Sequence, residues 1–131
     1  MADLLERASA WLALQQLKHA SRTVQYVRGE DSLYLNAVIG RTLFEVEDAY
    51  GVVERTESRD FLIPASDLLL DGSVVLPERG DRIRETQSQK VYVYEVMAPG
   101  KELAWRYADS FRRLLRVHTK QVDVETMGEE S

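Results

Sequence analysis

A chain of 131 residues has the size of one domain and can bury roughly two-thirds of its unfolded surface. At 44% apolar and 30% charged it reads as globular, which rules out a wholly disordered chain. The net charge of −5 argues against a protein whose chief task is to grip a phosphate backbone, and the absence of cysteine removes disulfides, thiolate metal sites and cysteine nucleophiles. A cysteine-free chain also fits a reducing cytoplasm.

The first twenty residues predict an amphipathic helix over about 2–20. Leu4, Leu5, Ala8, Trp11 and Leu12 follow helical spacing with no Gly or Pro among them. Trp11 is the centre of an apolar face that packs on its own domain or meets a neighbouring subunit. Asp3 and Glu6 stand where a secretory signal would carry basic residues. No apolar run approaches the roughly 18 residues of a membrane helix, so no membrane partner is expected.

After Ser21 the period becomes two. Val24 and Tyr26 alternate with polar residues, Gly29 marks a turn, and Leu33, Leu35, Ala37 and Ile39 share one strand face up to Gly40. Short strands are then expected at residues 43–46, 50–54 and 60–63, the last stopped by Pro64. Residues 65–70 fit one helical turn after that proline. Asp71-Gly72 and Arg79-Gly80-Asp81 turn the chain, and strands follow at 82–87, 91–97 and 102–107, with Pro99-Gly100 between the last two. A final strand covers 114–122, and residues 125–131 read as an acidic tail. Seven or eight short strands with frequent turns predict a mainly β fold: one domain over 1–131, built as a small antiparallel β-barrel over about 21–124 with an N-terminal α-helix.

Nothing in the chain assembles a catalytic or metal-binding set. His19 and His118 lie far apart and without the three or four convergent ligands a transition metal needs. No serine sits in a nucleophile elbow, and no glycine pattern forms a phosphate loop. No catalytic residue, metal or cofactor is therefore expected. Glu45, Glu47 and Asp48 crowd an acidic stretch, with Glu45 and Glu47 on the strand face opposite Phe44 and Val46. Arg112, Arg113, Arg116 and Lys120 form the one basic segment. It is read either as a nucleic-acid face of a small barrel or as a charge pattern that balances the acidic stretch within or between subunits.

The succession VQYVRG, IGRTLFEVEDAYG, SRDFLIPASDLLL, LPERGDRIRE, VYVYEV, ELAWRYAD and LLRVHTK resembles the head–tail joining (head-closure, or stopper) proteins of tailed bacteriophages and their prophage remnants. The strongest local match is a corner of Pro77, Gly80, Asp81 and Ile83, followed by a strand carrying Tyr94 and Val96. In that corner Gly80 permits the turn, Asp81 caps it and Ile83 enters the core. The resemblance implies a structural virion protein and not an enzyme: a subunit of a homo-oligomeric ring that joins the portal and adaptor of the DNA-filled head to the tail proteins. DNA is then passing cargo, and the protein moves from the cytoplasm of a bacterial host into the virion. It also implies candidate surfaces: Trp11, Arg112, Arg113 and Arg116 at a subunit interface, and Glu45, Glu47 and Asp48 on a wall facing the lumen. The alternative is a small-barrel nucleic-acid-binding module using the basic segment from Arg112 to Lys120. Head-closure proteins place a long mobile loop between strands, and residues 64–80 are the candidate here. Their apolar runs Leu68-Leu69-Leu70 and Val74-Val75-Leu76 predict packing on the domain or a neighbour instead.

Overall fold

The computed structural model of the protein describes residues 6–7, 21–100 and 102–126. The expected helix over 2–20, and with it Trp11 and His19, lies outside the described residues except for Glu6 and Arg7. The described chain is mainly β and antiparallel. Its strands are β1 (Ser21–Arg28), β2 (Asp31–Glu47), β3 (Val53–Pro64), β4 (Leu69–Leu70), β5 (Ser73–Val74), β6 (Arg82–Gln87), β7 (Lys90–Val96), β8 (Trp105–Tyr107) and β9 (Leu114–Thr126).

Two strands are much longer than expected. The runs ending at Gly40 and starting at Leu43 are one strand of 17 residues, and residues 60–63 are only the end of β3. Gly40 does not break β2, because a paired neighbour continues on its far side from Val38↔Leu62 to Glu47↔Val53. The strand expected over 50–54 is instead a turn at Asp48–Val52 followed by the start of β3. At the other end β9 continues through Glu125, which the sequence had placed in the tail, because its second half pairs with β7 from Thr119↔Val96 to Thr126↔Lys90. The helical turn after Pro64 is present as a short 3-10 turn over Ala65–Asp67.

The larger sheet has the order β3-β2-β1-β6-β7-β9-β8, and β3 also pairs with β9. The ladder therefore returns on itself. The first half of β9 lies between β3 and β8, and its second half bends away onto β7 with an irregular step opposite Val93 and Tyr94. A bulge of this kind bends and twists a strand, which lets one strand serve two neighbours in succession.

Alternation fills the space inside. Val24 and Tyr26 of β1, Leu35 and Ala37 of β2, Phe61 and Ile63 of β3, Ile83 of β6, Tyr94 and Val96 of β7, and Leu115 and Val117 of β9 form one buried cluster. Leu68 and Leu70 from the segment 64–80 join it, so this segment is packed on the domain and is not a free loop. Burying a leucine side chain contributes about 1.5–3 kcal/mol, which Leu68 and Leu70 supply; Leu69 and Val74, expected to pack as well, stay exposed because alternation turns them away from the cluster.

Each end of the cluster is closed by a carboxylate held by arginine. At one end the Tyr26 hydroxyl donates to Asp81, which also accepts from Arg28 Nη2 at 2.8 Å and from the Glu78 amide at 2.9 Å. Burial and the neighbouring Asp81 together push the Tyr26 phenol far above its ordinary value, so it remains a donor. At the other end Glu85 of β6, buried to 1% exposure, accepts from Arg59 of β3 at 2.7 Å and from Arg22 of β1 at 2.6 Å.

Candidate functional site

Strands β2 and β3 continue past the core as a two-stranded arm. From Arg41 to Glu47 every second residue of β2 is exposed, and residues 53–57 of β3 are exposed throughout. At about 3.3 Å per residue the arm reaches roughly 23 Å beyond Arg41. Its tip is an ordered turn: Asp48 Oδ1 accepts from the amides of Tyr50 at 2.8 Å and Val52 at 2.9 Å, and Gly51 takes φ +80°. Tyr50 is 92% exposed, with Leu43, Val52 and Val53 also open to solvent. Tyr50 and Val52 stand on the turn, Val53 opens β3, and Leu43 lies nearer the arm's base, opposite Glu57.

The two faces of the arm differ. Arg41, Leu43, Glu45 and Glu47 share the exposed face, whereas Phe44 and Val46 lie against the body. The Phe44 ring meets His118 edge-on at 5.1 Å. Val46 lies where a Cβ on Gly100 would meet it at 3.6 Å.

The base of the covered face is built on Asp60, which is fully buried. It accepts from Ser58 at 2.6 Å, from Arg116 Nη1 at 2.7 Å and from the Thr42 hydroxyl, and faces His118 Nδ1 at 2.9 Å. Burial alone would raise its pKa, but hydrogen bonds from His118, Ser58, Thr42 and Arg116 outweigh it and hold the carboxyl well below the usual carboxylate range. Glu85 follows the same logic: burial pushes its pKa up, and bonds from Arg59 and Arg22 outweigh that and bring it down.

Ser58, His118 and Asp60 include the residue types of a hydrolytic triad but not its geometry. Both Ser58 and Asp60 approach the same ring nitrogen, Nδ1, at 3.5 and 2.9 Å, and Ser58 donates directly to Asp60. A triad needs the serine on one nitrogen and the carboxylate on the other. Ser58 is moreover fully buried. The trio fastens β3 to β9, and the Thr42 hydroxyl ties β2 to the same carboxylate. Among the described residues no group of three or more His, Asp or Glu side chains is arranged to hold a metal, and no helix is long and apolar enough to cross a membrane.

The exposed side of the arm's base opens into a cleft of about 710 Å³ where β3 and β9 diverge. Their pairing runs from Pro64↔Leu114 to Arg59↔Thr119. Before Arg59, β3 pairs only with β2, and after Thr119, β9 pairs only with β7. Ile39, Arg41, Glu57, Arg59, Tyr94 and Lys120 line this fork. Arg59 stacks over the Tyr94 ring at 4.9 Å while it binds Glu85, and its Nε is the one buried side-chain polar atom without a partner among the described residues.

The residues singled out in the sequence fall in several places. At the corner Gly80 takes φ +93°, Asp81 accepts from the Glu78 amide, and Pro77 and Ile83 are buried. Asp81 goes further than a cap, since it also anchors Tyr26 and Arg28. The acidic group divides, with Asp48 engaged in the tip, Glu45 within 3.9 Å of Arg55, and Glu47 exposed. The basic segment is largely committed within the chain. Arg116 is bound to Asp60, Arg113 Nη2 donates to Glu6 at 2.6 Å, and Arg112 stacks 5.5 Å from the Tyr107 ring. Lys120 is apart from these, in the fork.

Sequence reasoning passed over Asp60, Glu85 and Arg59. One signal for Glu85 was present: it shares parity with Asp81 and Ile83, which puts a carboxylate on a core-facing position. Asp60 lies directly beside the apolar run Phe61-Leu62-Ile63, but its partners in β2 and β9 are distant in sequence.

A comparison with curated proteins gives no match. A family model described as phage head-tail joining protein matches residues 2–126, almost the whole length. A long arm on a self-returning ladder of strands, with no catalytic geometry among the described residues, is consistent with a structural part of a virion, and the chain belongs to the phage head-tail joining protein family.

Proposed function

We propose that this protein is a ring subunit that joins the DNA-filled head, at its portal and adaptor, to the tail. The observation that carries the reading is the arm of residues 41–57, an ordered extension with exposed Leu43, Tyr50, Val52 and Val53 on a subunit matched to the joining family. We read the self-returning ladder as a closed six-stranded barrel of β1, β2, β3, β9, β7 and β6, preceded by the N-terminal helix of the sequence. A barrel leaves few open edges, so contacts between subunits fall to the arm and the fork at its base. The nucleic-acid alternative loses support, because Arg113 and Arg116 are committed to Glu6 and Asp60.

Exposed ion pairs contribute about 0–1 kcal/mol each, too little to close a ring from dilute solution. The isolated protein is therefore expected to be monomeric or weakly associated, and to form rings at high concentration or on a portal–adaptor connector. Sedimentation velocity of the protein alone and with that connector tests this. A protein that stays monomeric and never joins the connector overturns the proposal.

A further inference from the structure

The tip of the arm and the fork at its base are different surfaces of one chain, separated by the arm's length. We propose that the tip of one subunit docks in the β3–β9 fork of the next, an inference that rests on the ring reading above.

Three features fit the tip to the fork. The first is charge. The distal arm carries Glu47 and Glu54, both exposed, while the fork presents Arg41 and Lys120 beside one acid of its own lining, Glu57; Arg59, in the same lining, is already bound to the buried Glu85. Arg41 is only loosely held by Glu57, at 3.7 Å between exposed side chains, and so is available to another acid. The second is apolar surface. Tyr50 and Val52 project from the tip, and the half-buried Ile39 lines the fork, with Tyr94 beneath Arg59 at its floor. The third is backbone. The diverging edges of β3 and β9 leave main-chain groups without a strand partner, and an added strand satisfies such an edge.

The arrangement also decides symmetry. A contact between unlike surfaces is heterologous, so each subunit offers one tip and one fork and the chain of contacts continues until it closes. A two-fold dimer does not use this contact. The tip needs little ordering on docking, because Asp48 already holds the turn. Glu47 then lies in a subunit contact and not on the channel wall.

The absence of cysteine makes the test direct. Ala49→Cys in the tip and Gln121→Cys beside the fork leave the proposed charge and apolar contacts in place. The doubly substituted chain, assembled on a portal–adaptor connector and oxidised, should give a ladder of cross-linked oligomers. Each single variant should give at most dimers. Reversing the fork with Arg41→Glu and Lys120→Glu should weaken self-association about tenfold or more. Adding Glu47→Lys and Glu54→Lys to the same chain should recover it. Rings that form without the disulfide ladder between positions 49 and 121, or cross-links only to connector proteins, overturn the docking and leave the ring reading standing. A wild-type chain that never assembles overturns both.

Discussion

Thr119 donates its hydroxyl to the carbonyl oxygen of Arg59 at 2.6 Å, and at that bond strands β3 and β9 part. Thr119 is fully buried, so the bond ends the closing seam with a satisfied acceptor where the ladder stops. Arg59 thus serves three purposes from one position. Its carbonyl ends the seam, its guanidinium closes the core through Glu85, and its flank lines the fork.

Thr119→Val keeps the shape and removes the bond, leaving the Arg59 carbonyl short of a partner. The expected cost is about 1–2 kcal/mol, with faster amide exchange at the neighbouring seam residues Phe61 and Val117. Exchange followed by NMR or mass spectrometry reads this, and unchanged protection at both residues would contradict it.

Asp60→Asn leaves Arg116 and His118 facing a neutral amide. Breaking a buried pair costs about 3–5 kcal/mol, and the lower end is expected because Arg116 retains 22% exposure. The pH dependence has a definite sign. Asp60 has its folded pKa depressed, so its contribution is complete above the unfolded carboxylate value of about 4 and is lost as pH falls through the folded value. Denaturant unfolding should show a wide gap between wild type and variant at pH 7 that narrows steadily below about pH 4. A gap of constant size would falsify the assignment.

Leu68→Ala should cost about 2–5 kcal/mol, because Leu68 is fully buried in the main cluster. Its neighbour Leu69 is 45% exposed, and Leu69→Ala should fall within about 0.5 kcal/mol of wild type. Equal effects at the two positions would mean that the segment after Pro64 does not pack as described.

Asp48→Ala removes two bonds that order the tip, to the amides of Tyr50 and Val52. The tip is far from the core, so global stability should change by no more than about 0.5 kcal/mol. Amide exchange at Tyr50 and Val52 should rise without a matching rise in β1 or β6. Loss of global stability instead would show that the tip is coupled to the core.

The inward parity of β1 and β6 was readable directly, because alternation of Val24 and Tyr26, or of Asp81, Ile83 and Glu85, needs only nearest neighbours in the chain. The corner at Gly80 was readable for the same reason. The arm was not, since Gly40 reads as a stop until its pairing with Asp60 carries the strand past it. The break between the strands at 87 and 91 was readable, but not its conformation: Ser88 and Gln89 both take positive φ although neither is Gly, Asn or Asp.

By itself the sequence determined a β-rich domain, the faces of its strands, its turn at Gly80 and the likeness to the joining family, all of which rest on local period and local turn chemistry. Only the tertiary structure decided which strands lie side by side. Asp60 meets His118 across 58 positions and Arg22 meets Glu85 across 63, so the charge clusters that brace the arm and close the core exist only once distant strands pair. The same long-range pairing gives β9 two neighbours in succession, and the fork opens where it passes from one to the other.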